Sequence, residues 1–325
     1  MKRREFVAGI LASAVWPGSI HGQAMPVIGY LSTQSASAQA RVVTAFKLGL
    51  GDAGFIEGQN VAFEYRHSDA QLSALPSLAE ELVRARVNVI AAMGGSRSAM
   101  AAKAVTSTVP IVFTMGDADP VKVGVVDSLA RPGGNLTGIS LLGGLLGPKR
   151  LELLRQIVPE ARTIGVLINP ENTSVAEERQ ELESAIFAAG CKAFVVLAGP
   201  AADLEEALRP FNHGRVDALV ITADPIFTNR REQIVRLVEQ YRIPTIYQWA
   251  NFVAAGGLVS YGTDLDEVYK QAGRYTGRIL KGEKPADLPV QAPAKFQLAI
   301  NLKAAKVLGL TIPSSLLASA DEVIE

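Results

Sequence analysis

Three aspartates and one glycine-rich turn are the residues whose types and spacing point to ligand chemistry. Asp117 and Asp119 follow one apolar run, and Asp224 follows a later one, so each carboxylate stands at the end of a predicted strand. A carboxylate in that position can pair with a ligand ammonium group. The turn Gly94–Ser96 opens a predicted helix, whose free backbone N–H groups can hold a carboxylate. Together the two features indicate a site for a zwitterion.

Each of these features also has a purely structural interpretation. Aspartate before proline is common in turns, and both Asp119 and Asp224 precede a proline. Ser96 can cap its helix while Gly94 and Gly95 make the turn. The ligand-binding and the structural interpretations are compatible, and the sequence leaves both open.

Side chains at other predicted strand ends extend the candidate site. Thr33 follows the first strand of the chain, and Asn169 follows a strand in its second half. Phe227, Tyr247, Trp249 and Tyr261 are placed to cover an aromatic or apolar group of the ligand, although aromatic residues at strand ends more often belong to the core. Of these four, we select Phe227, Tyr247 and Tyr261 as candidate ligand contacts. We therefore expect a polar cleft with an aromatic lining.

The sequence lacks the usual signatures of catalysis and of metal binding. One cysteine and three histidines are too few for a Cys/His metal cluster, and His67 and His213 have no acidic or nucleophilic neighbour. The glycine turn has the spacing of neither a dinucleotide motif nor a Walker loop, and no GxSxG elbow occurs. An exported α/β enzyme is the weaker interpretation, because the one close carboxylate pair, Asp117 and Asp119, lies within a single loop. We therefore expect a protein that is not an enzyme and that binds neither a metal nor a cofactor.

Length and charge also restrict the class of protein. The 325 residues suffice for two domains, and the 48% hydrophobic and 20% charged residues are typical of a globular chain. Thirty-two basic and thirty-two acidic side chains cancel. Because this balance offers no electrostatic footprint for nucleic acid or for an anionic membrane, we expect a small-molecule partner.

The elements that must position these residues alternate between β and α throughout the chain. Short apolar runs with β-branched residues alternate with amphipathic stretches, a pattern typical of parallel sheets covered on both faces. In the first half the predicted strands are Val27–Leu31, Val61–Tyr65, Val87–Ala92 and Ile111–Thr114, and the predicted helices are Ala38–Ala53, Leu72–Arg86 and Ser96–Thr106.

The pattern then repeats, which indicates two similar lobes. Strands near Ile164, Val216 and Pro244 match strands of the first half at offsets of 136, 129 and 134 residues. One continuous doubly wound sheet is the alternative. The glycine-containing segments 131–137 and 256–262 are candidate crossings between the lobes. The predicted lobes are 25–139 with 263–289, and 140–262 with 290–325.

Residues 1–24 have the pattern of an export signal. A basic start at Lys2–Arg4 precedes the apolar run Val7–Trp16, which is too short to span a bilayer, and Ala24 suits a cleavage site. The adjacent arginines resemble a twin-arginine signal, and the general secretory route remains equally open. We therefore expect a periplasmic protein.

Several long segments resemble one known family across nearly the whole chain. They are KRREF, VIGYLST, FIEGQNVAFEYR, DADPVKVGVVDSLARPGGNLTGIS, KRLELLRQIVP, GVLINP, ADPIFTNRR, AAGGLVSYGTD and ILKGEKPADLPVQAPAKFQLAINLKAAKVLGLTIP. With these segments the chain resembles the ABC-transporter substrate-binding proteins described as tryptophan/tyrosine transport components. The resemblance implies a type I periplasmic-binding-protein fold, in which two Rossmann-like lobes joined by three crossovers close over a ligand.

The resemblance also implies a function and a set of cleft residues. By position it places Thr33, Gly95, Ser96 and Asp119 on the first lobe, and Asn169, Asp224 and Tyr247 on the second. The implied mechanism is closure over a small ligand, an aromatic or branched amino acid, followed by delivery to a membrane permease. A periplasmic sensor of the same fold, which would present its closed form to a receptor or kinase, is the alternative. We expect a monomer, because delivery requires exposed lobe tips.

Overall fold

The computed structural model describes residues 25–141, 143–212, 216–293 and 295–325. The predicted export signal, residues 1–24, and His213 lie outside the described residues. No helix in the described ranges combines the length and the apolar character that crossing a bilayer requires. The described residues form two α/β lobes, each built around its own sheet.

The first lobe contains a five-stranded parallel sheet. Its strands are β1 (Val27–Ser32), β2 (Ala62–His67), β3 (Val89–Met93), β4 (Ile111–Met115) and β5 (Leu136–Ser140), in the order β2-β1-β3-β4-β5. The helices α1 (Ala36–Asp52), α2 (Leu75–Arg84) and α3 (Ser96–Val105) connect them. Strands β3, β4 and β5 are buried along their whole length, because helices cover both faces of the sheet.

The second lobe contains a seven-stranded sheet in the order β12-β11-β10-β9-β8-β6-β7. Its strands are β6 (Thr163–Ile168), β7 (Lys192–Leu197), β8 (Ala218–Ile221), β9 (Thr245–Tyr247), β10 (Val259–Thr263), β11 (Phe296–Asn301) and β12 (Glu322–Ile324). Its helices are α4 (Gly147–Ile157), α5 (Val175–Ala188), α6 (Leu204–Leu208), α7 (Pro225–Asn229), α8 (Arg231–Gln240), α9 (Ala250–Ala254), α11 (Leu302–Leu308) and α12 (Ser314–Ser319). This architecture confirms the predicted α/β class with two lobes.

The structure corrects three details of the sequence interpretation. Segment 131–137 is not a crossing, because the chain goes on to form β5 within the first sheet and leaves it only after Ser140. Segment 256–262 likewise runs into β10, and the chain leaves the second sheet after Thr263. The second sheet is also not wholly parallel, since β11 pairs antiparallel with β10. In both segments the glycines lie in or beside a strand and do not mark a linker.

Helix α10 (Leu265–Leu280) follows β10 and packs on α1 of the first lobe. Two glycines allow the close approach of these helices. A Cβ at Gly49 would lie 1.8 Å from the Lys270 carbonyl oxygen, and one at Gly273 would lie 2.0 Å from that of Phe46. A paired salt bridge from Arg41 to Asp266 joins the same helices at the surface.

Three connections between the lobes run side by side. Thr263, before α10, donates its hydroxyl hydrogen bond to the carbonyl of Leu141, which follows β5. The third connection, after α10, lies along β5, because Ser140 N–H donates to the Gln291 carbonyl at 2.8 Å. A bundle of three adjacent connections is suited to act as a hinge.

Candidate functional site

A cavity lies between the two lobes, at the carboxyl ends of the parallel strands. Its volume is about 60 Å³, which is room for a few water molecules. We call it the central cavity. It is lined by Gln34, Gly94, Gly95, Thr114, Met115, Gly116 and Asp117 of the first lobe, by Ala223, Asp224, Pro225, Thr228, Trp249 and Asn251 of the second, and by Ala38, Val42, Leu141, Leu265 and Tyr269 from α1, α10 and the connections.

Asp117 is held at the start of α3. The backbone N–H of Ser96 donates to Asp117 Oδ1 at 2.9 Å, and its hydroxyl donates to Oδ2 at 2.7 Å. Burial raises the pKa of Asp117, and the hydrogen bonds from Ser96 oppose that rise. The sequence predicts that the Ser96 N–H donates to a ligand carboxylate. In the structure this N–H donates to Asp117 instead, so the prediction needs correction. Gly95 and not Ser96 occupies the N-cap position of α3, and the Asp117 carboxylate accepts the Ser96 N–H at the start of the helix.

Asp224 is the corresponding carboxylate of the second lobe. Its Oδ1 accepts the N–H of Ile226 at 2.8 Å and so caps α7, while Oδ2 accepts the side-chain amides of Asn169 and Asn172 at 3.0 Å each. Burial raises the pKa of Asp224 to about 6, although the Ile226 N–H opposes the rise, and the charge of Asp117 raises the pKa further. Asn169 therefore acts on the cavity indirectly, by holding the carboxylate of Asp224. Asp224 also stabilises the turn before Pro225, as the structural interpretation of the sequence allowed.

The electrostatics of the central cavity favour a cation. Its lining contains two carboxylates, and none of the described lining residues is a lysine or an arginine. Behind Asp224, Glu178 accepts the N–H of Ala223 at 3.3 Å, and burial raises the pKa of Glu178 to about 8. The buried cation Arg150 donates from Nε to the carbonyl of Tyr261, and its charge lowers the pKa of Glu178. An ammonium group would relieve the negative charge of this region.

Polar contacts across the cleft hold the lobes together. Arg97 Nη2 donates to the Glu171 carbonyl oxygen at 2.7 Å, and Lys122 pairs with Glu177 at 2.8 Å. Gly95 has φ +111°, and a Cβ there would lie 2.7 Å from the Pro225 ring of the other lobe. The glycine is therefore required both by its backbone conformation and by the close approach of the lobes.

Two further predicted residues lie beside the central cavity without lining it. Thr33 donates its hydroxyl hydrogen bond to the carbonyl of Gly94 and so fixes the glycine turn. Asp119 is exposed, and its Oδ1 accepts the N–H of Val121 at 2.8 Å, which is the turn role that the sequence left open. Asp119 lines a neighbouring acidic cavity, which shares Gly116 and Asp117 with the central one.

The three aromatic residues selected as ligand contacts pack elsewhere. Phe227 is fully buried in the core of the second lobe. Tyr247 stacks on Phe252 with ring centroids 4.9 Å apart, and Tyr261 stacks on Phe296 at 6.0 Å. Trp249, two residues beyond Tyr247, lines the central cavity instead. Within a strand the side chains alternate in direction, but the chain turns after Tyr247 into α9, so the alternation does not predict which aromatic residue faces the cleft.

Two cavity residues outside the selected set are Trp249, which the sequence offered beside Tyr247, and Asn251, which it did not single out. Both lie at the start of α9, immediately after β9, so the strand-end rule covers them as well as it covers Tyr247. Tyr269 of α10 carries no such signal, because it reaches the cavity from a helix that returns from the other lobe.

Comparison with known proteins gives the family. The ABC transporter substrate binding protein family matches residues 27–324. A tyrosine-binding protein of Clostridioides difficile (strain R20291) is 27% identical over 263 residues, which are 80% of this chain and 74% of that protein. The matched family and this relative are substrate-binding proteins and not enzymes.

Two solved structures share the fold. The ABC domain from Streptococcus pneumonia in complex with L-Trp superposes with a TM-score of 0.83 at 24% identity, over 92% of this chain and 99% of that one. The ligand-free, open structure of a substrate-binding protein with adhesive properties from Clostridium difficile has a TM-score of 0.67 at 25% identity, with the same coverages. The family match spans both lobes and both sides of the cleft, and the chain belongs to the ABC transporter substrate binding protein family.

Proposed function

We propose that this chain is the extracytoplasmic solute-binding component of an ABC importer, which closes its two lobes over an amino acid and delivers it to a membrane permease. The observation that carries the proposal is the central cavity, where a buried carboxylate from each lobe meets and no described lining residue is cationic. Membership of the family supports the class of function.

The ammonium group of the ligand is the natural partner of the two carboxylates. Asp117 belongs to the first lobe and Asp224 to the second, so one ammonium can contact both only when the lobes are closed. A ligand that binds one state better shifts the population toward it. A shift from 1:99 to 99:1 closed requires about 5.5 kcal/mol of differential binding, which two charge-assisted pairs and a buried side chain can supply.

An aromatic side chain suits the remainder of the lining. Trp249 offers an indole ring, and Val42, Leu141 and Leu265 offer apolar surface. The relative from Clostridioides difficile carries the name tyrosine-binding protein, and this name supports an aromatic amino acid as the ligand.

The remaining parts of the proposal concern organisation and location. We divide the chain into an export signal, residues 1–24, a first lobe of 25–139 with 263–289, and a second lobe of 140–262 with 290–325. The signal would be cleaved near Ala24 and would deliver a monomer to the periplasm. Of the candidate ligand residues, Gly95, Asp117 and Asp224 line the central cavity, and Ser96, Asn169 and Thr33 position them.

A binding screen tests the proposal. Residues 25–325 are unfolded and refolded to remove any bound ligand, and their thermal stability is measured with amino acids, sugars and small carboxylates. Ligand at 100 times its dissociation constant adds about 2.7 kcal/mol to the free energy of unfolding. We expect aromatic amino acids to stabilise the wild type and an Asp287→Asn control, whose aspartate is exposed, but not Asp224→Asn. A response to sugars or acids alone would overturn the ligand class.

A further inference from the structure

The central cavity continues into a larger space between the lobes. We call this second space, of about 350 Å³, the outer cavity. The two cavities share the lining residues Ala38, Val42, Asn251 and Leu265. The first two of these lie on α1 of the first lobe and Asn251 lies on α9 of the second, so both lobes enclose the junction. A ligand held in the central cavity can therefore extend into the outer cavity.

The central cavity is a poor place for a ligand carboxylate. None of its described lining residues is a lysine or an arginine. At the start of α3 the Ser96 N–H already donates to Asp117, at 2.9 Å. At the start of α7 the Ile226 N–H already donates to Asp224, at 2.8 Å. The carboxylate of a single amino acid would lie close to these two buried charges of its own sign, so a ligand gains if its carboxylate lies farther from its ammonium.

A guanidinium group lines the outer cavity on the continuation of the helical face that carries Asp224. This face begins with Asp224 and Thr228 at the central cavity. It continues with Arg231 at the outer cavity, because intervals of three and four residues keep side chains on one side of a helix. Arg231 Nη1 also donates to the carbonyl of Thr228 at 3.3 Å, which ties the guanidinium to the central lining.

Arg231 is the less neutralised of the two arginines that line the outer cavity. The other, Arg41, pairs with Asp266 through three bonds of 2.8–3.1 Å. Arg231 makes one bond of 3.2 Å to Glu232, whose side chain is 79% exposed, and such an exposed pair contributes little. Asp264, the third carboxylate of the described lining, caps α10. The guanidinium of Arg231 can therefore hold a ligand carboxylate through two parallel bonds.

The spacing of Asp224 and Arg231 suits a ligand of two amino-acid residues. Helix α7, which lies between them, has five residues. At 1.5 Å per residue it is about 7.5 Å long. An extended chain of two residues spans about 7 Å, whereas the ammonium and the carboxylate of a single amino acid are attached to the same carbon atom. The side-chain amide of Asn251, at the junction of the cavities, can bond to a peptide group between the two ends.

We propose that the cleft also binds dipeptides with a free ammonium and a free carboxylate, and that it binds them more tightly than the single amino acid. The inference rests on the proposed function, because the N-terminal ammonium of the dipeptide takes the position between Asp117 and Asp224. Its C-terminal carboxylate lies in the outer cavity and bonds to Arg231.

The test is the affinity of the refolded chain for matched ligands, measured by calorimetry. The probes are L-tyrosine, L-tyrosylglycine and L-tyrosylglycinamide, whose C-terminus is uncharged. We expect the wild type to bind tyrosylglycine at least about 10-fold more tightly than the amide, which lacks the carboxylate for Arg231. Tyrosylglycine should also bind more tightly than tyrosine, because its carboxylate lies away from the two aspartates.

Three variants separate a loss of this charge pair from a loss of structure. Arg231→Gln should bind tyrosylglycine and its amide within about 3-fold of each other, because the cation is gone. Arg231→Lys keeps a cation and should retain part of the preference for the carboxylate. Arg236→Gln removes an exposed arginine from the same helix and should leave all three affinities unchanged. Binding of the amide by Arg231→Gln itself reports a folded cleft.

The outcomes distinguish this inference from the proposed function. If the wild type binds tyrosylglycine no more tightly than its amide, or if Arg231→Gln keeps the wild-type ratio, the role of Arg231 is refuted while amino-acid binding stands. A dipeptide that binds more weakly than tyrosine would refute the extension into the outer cavity. If none of the three ligands binds the wild type, the proposed function fails and the inference fails with it.

Discussion

The raised pKa of Asp224 makes amino-acid binding sensitive to mild acid. Only the ionised carboxylate attracts a ligand ammonium, and burial raises its pKa to about 6. At pH 7.5 nearly every molecule carries the ionised form, whereas at pH 5 about one in ten does, so the apparent dissociation constant should rise about 10-fold. Asp117, whose pKa is also raised by burial, acts in the same direction.

Low pH should weaken ligand binding but stabilise the ligand-free protein, and this opposite sign provides an internal check. Because the pKa of Asp224 rises from 3.8 in the unfolded chain to about 6, the native state without ligand holds this proton more tightly. The contribution of Asp224 to stability is therefore greatest below pH 3.8 and is lost as the pH rises through 6, by about 3 kcal/mol. Acid should thus stabilise the ligand-free native state against unfolding while it weakens ligand binding.

Calorimetric titration with tyrosine at pH 5, 6 and 7.5 measures the first effect. Repeating the pH 5 titration in two buffers of different ionisation heat gives the number of protons released, and we expect close to one. Asp224→Asn should bind weakly with a much flatter pH dependence, and the exposed control Asp287→Asn should follow the wild type. An affinity that is constant between pH 5 and 7.5, with no proton release, would refute the pairing of a ligand ammonium with Asp224.

Three further substitutions test other parts of the structure. Arg97→Ala removes the bond to the Glu171 carbonyl across the cleft, so X-ray scattering should show a larger radius of gyration without ligand; an unchanged radius would contradict this role. Trp249→Ala should weaken tyrosine binding more than 10-fold in calorimetry by removing an apolar wall, and an unaltered affinity would exclude ring contact. Gly273→Ala places a Cβ 2.0 Å from the Phe46 carbonyl, so urea unfolding should show a loss of about 2 kcal/mol or more; wild-type stability would show that α10 can shift freely.

The sequence predicts the fold well where the pattern is local. Apolar runs separated by amphipathic stretches predict β1, β3, β4, β6 and β8 to within a few residues, because buried parallel strands are recognisable from composition alone. The sequence interpretation fails at β5 and β10, because the glycines in and before these strands resemble those of a linker. The antiparallel position of β11 depends on where the third connection enters the second sheet, and no local pattern encodes that path.

The candidate site likewise contains residues that the sequence predicts and residues that it does not. Asp117 and Asp224 are predictable because a carboxylate after a buried strand must lie at the ligand-binding edge of the sheet. The orientation of an aromatic side chain at such an edge depends on the turn that follows, so Tyr247 is placed in the core and Trp249 at the cavity. The occupation of Ser96 N–H by Asp117 arises from two loops that are 21 residues apart, and spacing alone does not predict this contact.

The arrangement of charge explains why closure should depend on the ligand. Closing the lobes brings Asp117 toward Asp224, and the repulsion between these two carboxylates adds to the cost of burying them. The cations that cross the cleft are Arg97, which donates to the Glu171 carbonyl, and Lys122, which forms an exposed ion pair with Glu177, and neither bonds to Asp117 or Asp224. They favour closure without neutralising the buried carboxylates. Neutralisation requires either protons or a cation inside the central cavity, and at neutral pH an amino-acid ammonium supplies that charge at the point where both lobes can reach it.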